Sequence, residues 1–266
     1  MGSWWLQNLG IHNIVINSYS IPQVQGGYSY QTFSVSASSD APVELRMTTN
    51  ASRLHDFIDV LKESKIKSVN VSLDTLQPEK FLLITRRNLF HQVRSNLELL
   101  LHHQFKVKIN VVVMKGFNDD EINDFIEWTM YSPVEVRFIE FMPFSGNRWT
   151  SNKVVSLDEM LSTINGKYSF LPLQNDKNDT AKHFMVPGHV GSFAVISTMS
   201  SPFCSGCNRM RLTADGKMKN CLFSNGETDL LSALRNGKDL LPLIHQNILM
   251  KEKELGGQFI ADLNTV

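Results

Sequence analysis

Between Pro42 and Pro143 short apolar runs alternate with amphipathic stretches, and this rhythm predicts strands and helices in turn. The run from Val43 to Thr48 reads as a strand. Leu54, Phe57, Ile58 and Leu61 follow at i, i+3, i+4 and i+7, one apolar helix face. The cycle repeats with a strand from Ser68 to Leu73 and a helix carrying Leu89, Val93, Leu97 and Leu100. Next come a strand from Val107 to Met114, a helix with Ile122, Phe125, Ile126 and Met130, and a fourth strand from Val134 to Met142. Asn118, with Glu121 three residues on, predicts a capping-box start for the third helix. Strands and helices alternating at this length imply βαβ units and a parallel sheet, closed as a barrel or doubly wound.

The predicted strands are not uniformly apolar. Ser72, Asp74, Lys108, Asn110, Arg137 and Glu140 interrupt them, and Lys108, Asn110 and Val112 share one face by the period of two. A polar face on an internal strand needs partners, because unpaired buried polar groups are costly. A barrel lumen holding a polar ligand would supply them; strand ends reaching solvent is the plainer alternative.

Outside this region the pattern changes. Residues 1–41 hold one charged residue, Asp40, amid Trp4, Trp5 and many small polar positions, and form an unassigned lead-in without clear periodicity. Residues 144–266 open with a loop, continue with a short helix from Leu157 to Ile164, and then alternate strand and turn. They read as a mixed, antiparallel appendage. The expected organisation is thus a lead-in (1–41), a partial barrel (42–143) and a C-terminal region (144–266).

Charge removes some classes of partner. Lys plus Arg (26) balance Asp plus Glu (26), so no global field draws the protein to nucleic acid or to an anionic membrane. The apolar runs are too short to span a bilayer, and the N-terminus lacks both a secretory pattern and an Arg-rich transit pattern. A cytoplasmic protein is expected. A homodimer is the one assembly considered, with oligomeric state left open.

Cysteine usage is the sharpest signal. The chain has three, Cys204, Cys207 and Cys221, spaced C-x2-C-x13-C. An odd, clustered set argues for one metal centre over a disulfide framework. Asp215-Gly216 supplies a hairpin turn between the second and third cysteines. A two-residue turn sets Cys221 opposite Met210. A three-residue turn, Ala214 to Gly216 with a bulge at Gly216, sets it opposite Arg209, and this second register is predicted. Three thiolates leave a coordination position open. A [4Fe–4S] cluster with one iron free for a non-protein ligand fits, with Arg209 and Arg211 offering forks to phosphate or carboxylate. Zinc fits as well if a distant ligand such as His183 or His189 is recruited.

The run Phe203-Cys204-x2-Cys207-Asn208-Arg209-x-Arg211-Leu212-Thr213-Ala214-Asp215-Gly216, closing on Cys221-Leu222-Phe223, resembles the C-terminal cluster motif of the GTP 3′,8-cyclase family of molybdenum-cofactor biosynthesis. Val69 to Leu76, Val134 to Pro143 and Thr48-Thr49-Asn50 resemble further blocks of that family, and together the similarity covers roughly Pro42 to Phe259. The resemblance implies a radical S-adenosylmethionine fold: an incomplete parallel (β/α) barrel with an iron–sulfur appendage. It implies conversion of GTP to 3′,8-cyclo-7,8-dihydro-GTP, classed as a lyase reaction. It assigns Cys204, Cys207 and Cys221 to a C-terminal [4Fe–4S] cluster, Thr48, Lys108, Arg209 and Arg211 to GTP, and Ser72, Arg137 and Met142 to S-adenosylmethionine.

The sequence also departs from the family. The N-terminal [4Fe–4S] cluster requires a CxxxCxxC motif, and no cysteine precedes Cys204. The Gly-Gly-Glu-Pro block is absent, Gly26-Gly27 being followed by Tyr28-Ser29. Gly256-Gly257 lies inside the chain, which ends at Val266 without the family's Gly-Gly tail. The reading is an incomplete cyclase: a partial copy, a variant that has lost catalysis, or a chain paired with another that supplies the missing cluster. The alternative function is a non-catalytic [4Fe–4S] nucleotide-binding protein, with a zinc-stabilised binding module third.

Overall fold

The computed structural model describes residues 13–17, 44–64, 66–144, 147–176 and 178–258, with side chains from residue 46 onward. The lead-in other than 13–17, Gly26-Gly27 and Val266 lie outside the described residues. Eleven strands and seven α-helices are described. Eight strands join one sheet: β1 (Asn13–Asn17), β2 (Glu44–Thr49), β3 (Ser68–Ser72), β4 (Lys106–Val113), β5 (Val134–Glu140), β6 (Leu171–Pro172), β7 (Lys182–Met185) and β8 (Ser192–Ile196), in the order β1-β2-β3-β4-β5-β8-β7-β6. β1 through β4 pair in parallel, whereas β6 and β7 are antiparallel. This is the expected incomplete parallel β/α barrel with antiparallel additions. The strand β1 falls in a segment whose pattern did not separate strand from coil.

The chain divides into two compact units. One comprises the residues up to Val111 with Asn123–Arg137 and Gly188–Phe193; the other comprises Val112–Ile122, Phe138–Pro187 and everything from Ala194.

In the first unit the helices α1 (Ile58–Glu63), α2 (Pro78–Thr85) and α3 (Phe90–His102) connect the parallel strands. Val93, Leu97 and Leu100 of α3 are buried at helical spacing, and Val69, Val71, Val107 and Ile109 of the strands are buried at the two-residue period. The helix α2 was not visible as a period. It is fixed by Pro78 in its first turn and stopped by Arg86 in the left-handed region at φ 56°. The helix α4 (Ile122–Tyr131) buries Ile122, Phe125 and Ile126 as expected.

The capping-box expectation at Asn118 is corrected. Its side chain makes no cap hydrogen bond to the helix. Instead Oδ1 accepts from Met114 N (2.8 Å) and Nδ2 donates to Val112 O (2.9 Å), so it closes the turn after β4. The working capping box belongs to α5 (Leu157–Asn165), between Ser156 and Glu159.

In the second unit a three-stranded antiparallel sheet forms from β9 (Arg211–Leu212), β10 (Lys217–Lys219) and β11 (Thr228–Asp229), followed by α6 (Leu230–Arg235) and α7 (Leu241–Leu249). The buried Asn247 of α7 ties the helix to this sheet, its Nδ2 donating to Met218 O (3.3 Å) and Thr228 Oγ1 (2.7 Å).

Candidate functional site

The hairpin between the second and third cysteines takes the three-residue turn. Met218 pairs with Leu212 and Lys219 with Arg211. Thr213 N donates to Lys217 O at 2.8 Å, leaving Ala214 to Gly216 as the loop. Gly216 sits at φ +77°, and a Cβ there would run into the Leu231 side chain. Its carbonyl accepts from Leu230 N (3.1 Å) and Leu231 N (3.0 Å), fixing the turn on the start of α6. The ladder ends at the Lys219–Arg211 pair, so the expected pairing of Cys221 with Arg209 falls beyond the paired residues.

The two CxxC thiols lie on one tight turn. A 3-10 turn spans Cys204–Gly206, and Cys207 N donates to Cys204 O at 3.1 Å. Each of their sulfurs receives an N–H donor from the segment after α7: Leu255 N at 3.5 Å from Cys204 Sγ, and Lys251 Nζ at 3.4 Å from Cys207 Sγ. Burial pushes the Cys204 thiol up; the Leu255 N–H opposes that rise, and the neighbouring Cys207 and Cys221 add to it. At Cys207 burial also works upward, but the Arg209 backbone N–H and the Lys251 ammonium outweigh it, and the thiol lies below its ordinary value.

Three cysteines, two of them with N–H donors on sulfur, are a donor set of the kind that an iron–sulfur cluster takes, and zinc takes the same soft donors. Among the described residues no group of three His, Cys, Asp or Glu side chains is arranged to hold a metal ion. His189, one of the candidate fourth ligands, is engaged through Nδ1 with Thr129 Oγ1 at 2.8 Å.

Cations gather on the same hairpin. Arg209 donates from Nη2 to Thr180 Oγ1 (3.2 Å) and Asn178 O (3.4 Å), and its guanidinium lies 5.8 Å from the Phe203 ring centroid. Its Nη1 is buried and meets no acceptor among the described residues. Arg211 stands directly opposite Lys219, a like-charge pairing that costs stability unless an anion lies nearby. Glu227 approaches Lys219 only to 3.8 Å and is shared with Lys217 at 3.4 Å. Lys219 is a cation of this hairpin that the motif alone did not single out. It becomes visible once the turn length is known, because the register then fixes its partner.

In the first unit the polar face of the sheet is real. Register rows run Arg46–Ser68–Lys106, Thr48–Asn70–Lys108 and Ser72–Asn110. Asn70 Nδ2 donates to Thr48 Oγ1 at 3.1 Å, so Thr48 and Lys108 flank one asparagine in a single row. Ser68 Oγ, Asn70 Oδ1 and Asn110 Oδ1 are buried and meet no hydrogen-bond partner among the described residues, so these three groups do not lie in solvent, whereas Ser72 at its strand end does.

Lys108 is held by a residue that sequence reasoning missed. Its Nζ donates to both oxygens of Glu135 (2.9 and 3.0 Å), and Arg137 Nε lies 3.8 Å from Glu135 Oε1. The three side chains are 17–21% exposed, so one carboxylate neutralises the expected GTP lysine and neighbours the expected S-adenosylmethionine arginine. Ser72 is exposed at the C-terminal end of β3, the end at which parallel sheets present ligand sites.

Of the polar strand residues, Glu140 is a correction, because backbone donors and one hydroxyl take up its charge with no ligand needed. It is fully buried in the second unit. Oε1 accepts from Leu157 N (3.0 Å) and from the Ser200 hydroxyl, and Oε2 accepts from Met199 N (2.6 Å) and Ser200 N (2.9 Å). Two residues on, the strand exit bearing Met142 is held by Asn147, whose Nδ2 donates to Met142 O at 2.8 Å. Trp149 Nε1 donates to Phe141 O at 2.8 Å.

Two family models match the chain. The Radical SAM superfamily matches residues 7–129, and Molybdenum Cofactor Synthesis C matches residues 134–256. A GTP 3′,8-cyclase of Alkaliphilus oremlandii is 37% identical over 217 residues, 81% of this chain and 67% of that protein. A mitochondrial GTP 3′,8-cyclase of Arabidopsis thaliana is 44% identical over 73% of this chain and 50% of its own length. Molybdenum cofactor biosynthesis protein 1 of Mus musculus is 43% identical over 80% of this chain, and the chain spans 34% of that relative. Among the described residues no helix is long and apolar enough to cross a membrane.

Proposed function

The chain belongs to the GTP 3′,8-cyclase family of molybdenum-cofactor synthesis, and on that premise we propose that its cysteine hairpin holds a [4Fe–4S] cluster beside a bound GTP. Cys204, Cys207 and Cys221 are the cluster ligands. Arg209, Arg211 and Lys219 meet the anionic part of the nucleotide. When bound, such a cluster supplies an iron with an open position for a purine or oxygen donor. The observation that carries the reading is the Arg209 guanidinium, buried at Nη1 without an acceptor among the described residues, two positions before the strand whose register pairs Arg211 with Lys219. A buried cationic donor left unmatched is costly, and a triphosphate removes that cost.

In the first unit, Thr48 and Lys108 are proposed as GTP contacts, and Ser72 and Arg137 as contacts of S-adenosylmethionine, together with Met142 of the second unit. The Glu135 carboxylate accepts from Lys108 and lies 3.8 Å from Arg137 Nε, so it supports the placing of both cations before any ligand arrives. Three free thiols of this kind belong in a reducing compartment, and the cytoplasm is our first assignment.

The family's N-terminal cluster does not fit these residues, since positions 1–203 hold no cysteine. This favours a second reading in which the chain binds a cluster and GTP without cleaving S-adenosylmethionine. Anaerobic reconstitution with iron and sulfide tests both. About four irons per chain are expected, with Cys221→Ser abolishing retention. Calorimetry should show GTP binding, weakened about 10- to 100-fold in Arg209→Ala, as the loss of a charged hydrogen-bonding group predicts. Unchanged affinity removes Arg209 from the site. Formation of 5′-deoxyadenosine by the purified chain would reject the second reading.

A further inference from the structure

We propose that Lys251–Gln258 is a clasp over the cysteine hairpin, and that Lys251 is a positioning residue which sets cluster retention and reduction potential through its hydrogen bond to Cys207 Sγ. The inference rests on the cluster assignment above and adds to it a segment that the cysteine motif does not contain.

The segment grips both arms of the hairpin. On the CxxC arm, Lys251 Nζ donates to Cys207 O (2.8 Å), Cys207 Sγ (3.4 Å) and Arg209 O (3.2 Å), so one ammonium directs its three N–H donors to a sulfur and two carbonyls within three residues of chain. Leu255 N donates to Cys204 Sγ at 3.5 Å. On the Cys221 arm, Gln258 Nε2 donates to Phe223 O at 2.6 Å. Gly256 presses against the same arm: a Cβ there would lie 2.7 Å from Ser224 N and 2.9 Å from the Phe223 carbonyl carbon. The anchor is Leu255, 2% exposed. It keeps a left-handed φ of 42° that a leucine adopts only when its surroundings fix it.

Hydrogen bonds to cysteine sulfur, and positive charge beside it, stabilise the more negative, reduced state of an iron–sulfur cluster and so raise its potential. Lys251 provides both at Cys207. Because it also ties Cys207 to Arg209, it couples the sulfur to the residue proposed to hold the nucleotide.

The experiment uses the full chain, reconstituted anaerobically, in wild-type, Lys251→Met and Lys251→Arg forms. Methionine keeps an unbranched side chain one atom shorter and removes donors and charge, while arginine keeps both. Iron release to a chelator and the midpoint potential by EPR-monitored titration with dithionite and mediators are the two readouts. Lys251→Met should release iron about tenfold faster. Its reduction equilibrium should fall about tenfold, equivalent to 59 mV for a one-electron couple. Lys251→Arg should stay within about twofold of wild type. Wild-type rates and potential in Lys251→Met overturn the proposal, and so does faster release with an unmoved potential, which would make the lysine a structural tie alone. Failure of the wild-type chain to load iron instead overturns the cluster assignment itself, so the two failures are separable.

Discussion

Replacing Glu140 by glutamine changes one atom and should be among the most damaging isosteric changes in the chain. The carboxylate is fully buried and accepts from three backbone N–H groups and one hydroxyl. A glutamine can keep one oxygen. The better placement leaves it facing Met199 N and Ser200 N, because the Ser200 hydroxyl can turn to accept from the amide on the other side. The Leu157 N–H cannot turn. It is the first N–H of α5, with no partner inside the helix; it would face an NH2 group and keep only its longer bond to Ser200 Oγ at 3.2 Å. One charge-assisted bond is lost, about 1.5–3 kcal/mol for local opening. Hydrogen exchange reads this directly: at about 1.4 kcal/mol per tenfold, amides of Leu157, Met199 and Ser200 should exchange about 10- to 100-fold faster in Glu140→Gln. Exchange at these amides within about fivefold of wild type would refute the reasoning.

Three further outcomes follow from local geometry. Gly256→Ala forces a Cβ onto the Phe223–Ser224 backbone from a left-handed φ, and should cost about 2–4 kcal/mol by strain and overpacking, read as earlier urea unfolding of the C-terminal region. In the cluster-free chain Cys207 should be alkylated before Cys204 at neutral pH, as mass spectrometry of partly labelled protein can show, because its thiol is held low while burial holds Cys204 high. Glu159 is held below its ordinary value, first by its hydrogen bond from Lys115 and then by the Ser156 cap. Its contribution is therefore complete above the usual glutamate range and lost as pH falls through the lower folded value. Glu159→Gln should be slightly less stable than wild type at pH 7, by under about 1 kcal/mol for so exposed a pair, with the difference vanishing in acid denaturation series towards pH 3.

The α/β architecture was legible because its information is local. Val69, Val71, Val107 and Ile109 alternate with polar neighbours, and Val93, Leu97 and Leu100 repeat at helical spacing, so each element declares its buried face within one window. Where the signal failed, the cause was competition for the same atoms. Asn118 and Glu121 have capping-box spacing, yet the strand β4 ends with backbone groups at Val112 and Met114 that need partners, and the asparagine amide serves those. Pro78–Thr85 carries too short an apolar stripe to register as a period, and only its proline start marks it.

The cysteine hairpin divides in the same way. Its register followed from Asp215-Gly216 because a left-handed glycine closing a three-residue loop is a local backbone fact, and the pairing of Arg211 with Lys219 follows arithmetically from it. The residues around the sulfurs and cations were illegible for the opposite reason. Lys251 lies 44 residues from the sulfur it meets, and Glu135 lies 27 from the ammonium it neutralises. Neither spacing carries a period, and a lysine or glutamate in isolation is most often a solvated surface charge. What makes both conspicuous is desolvation. A half-buried ammonium or carboxylate is tolerable only with a partner, so the tertiary fold, once known, points to these residues as firmly as the spacing points to the cysteines. Charges that sequence reading would assign to solvent are thus the natural complement of a motif: the motif names what binds, and the partly buried charges name what holds the binding groups in place.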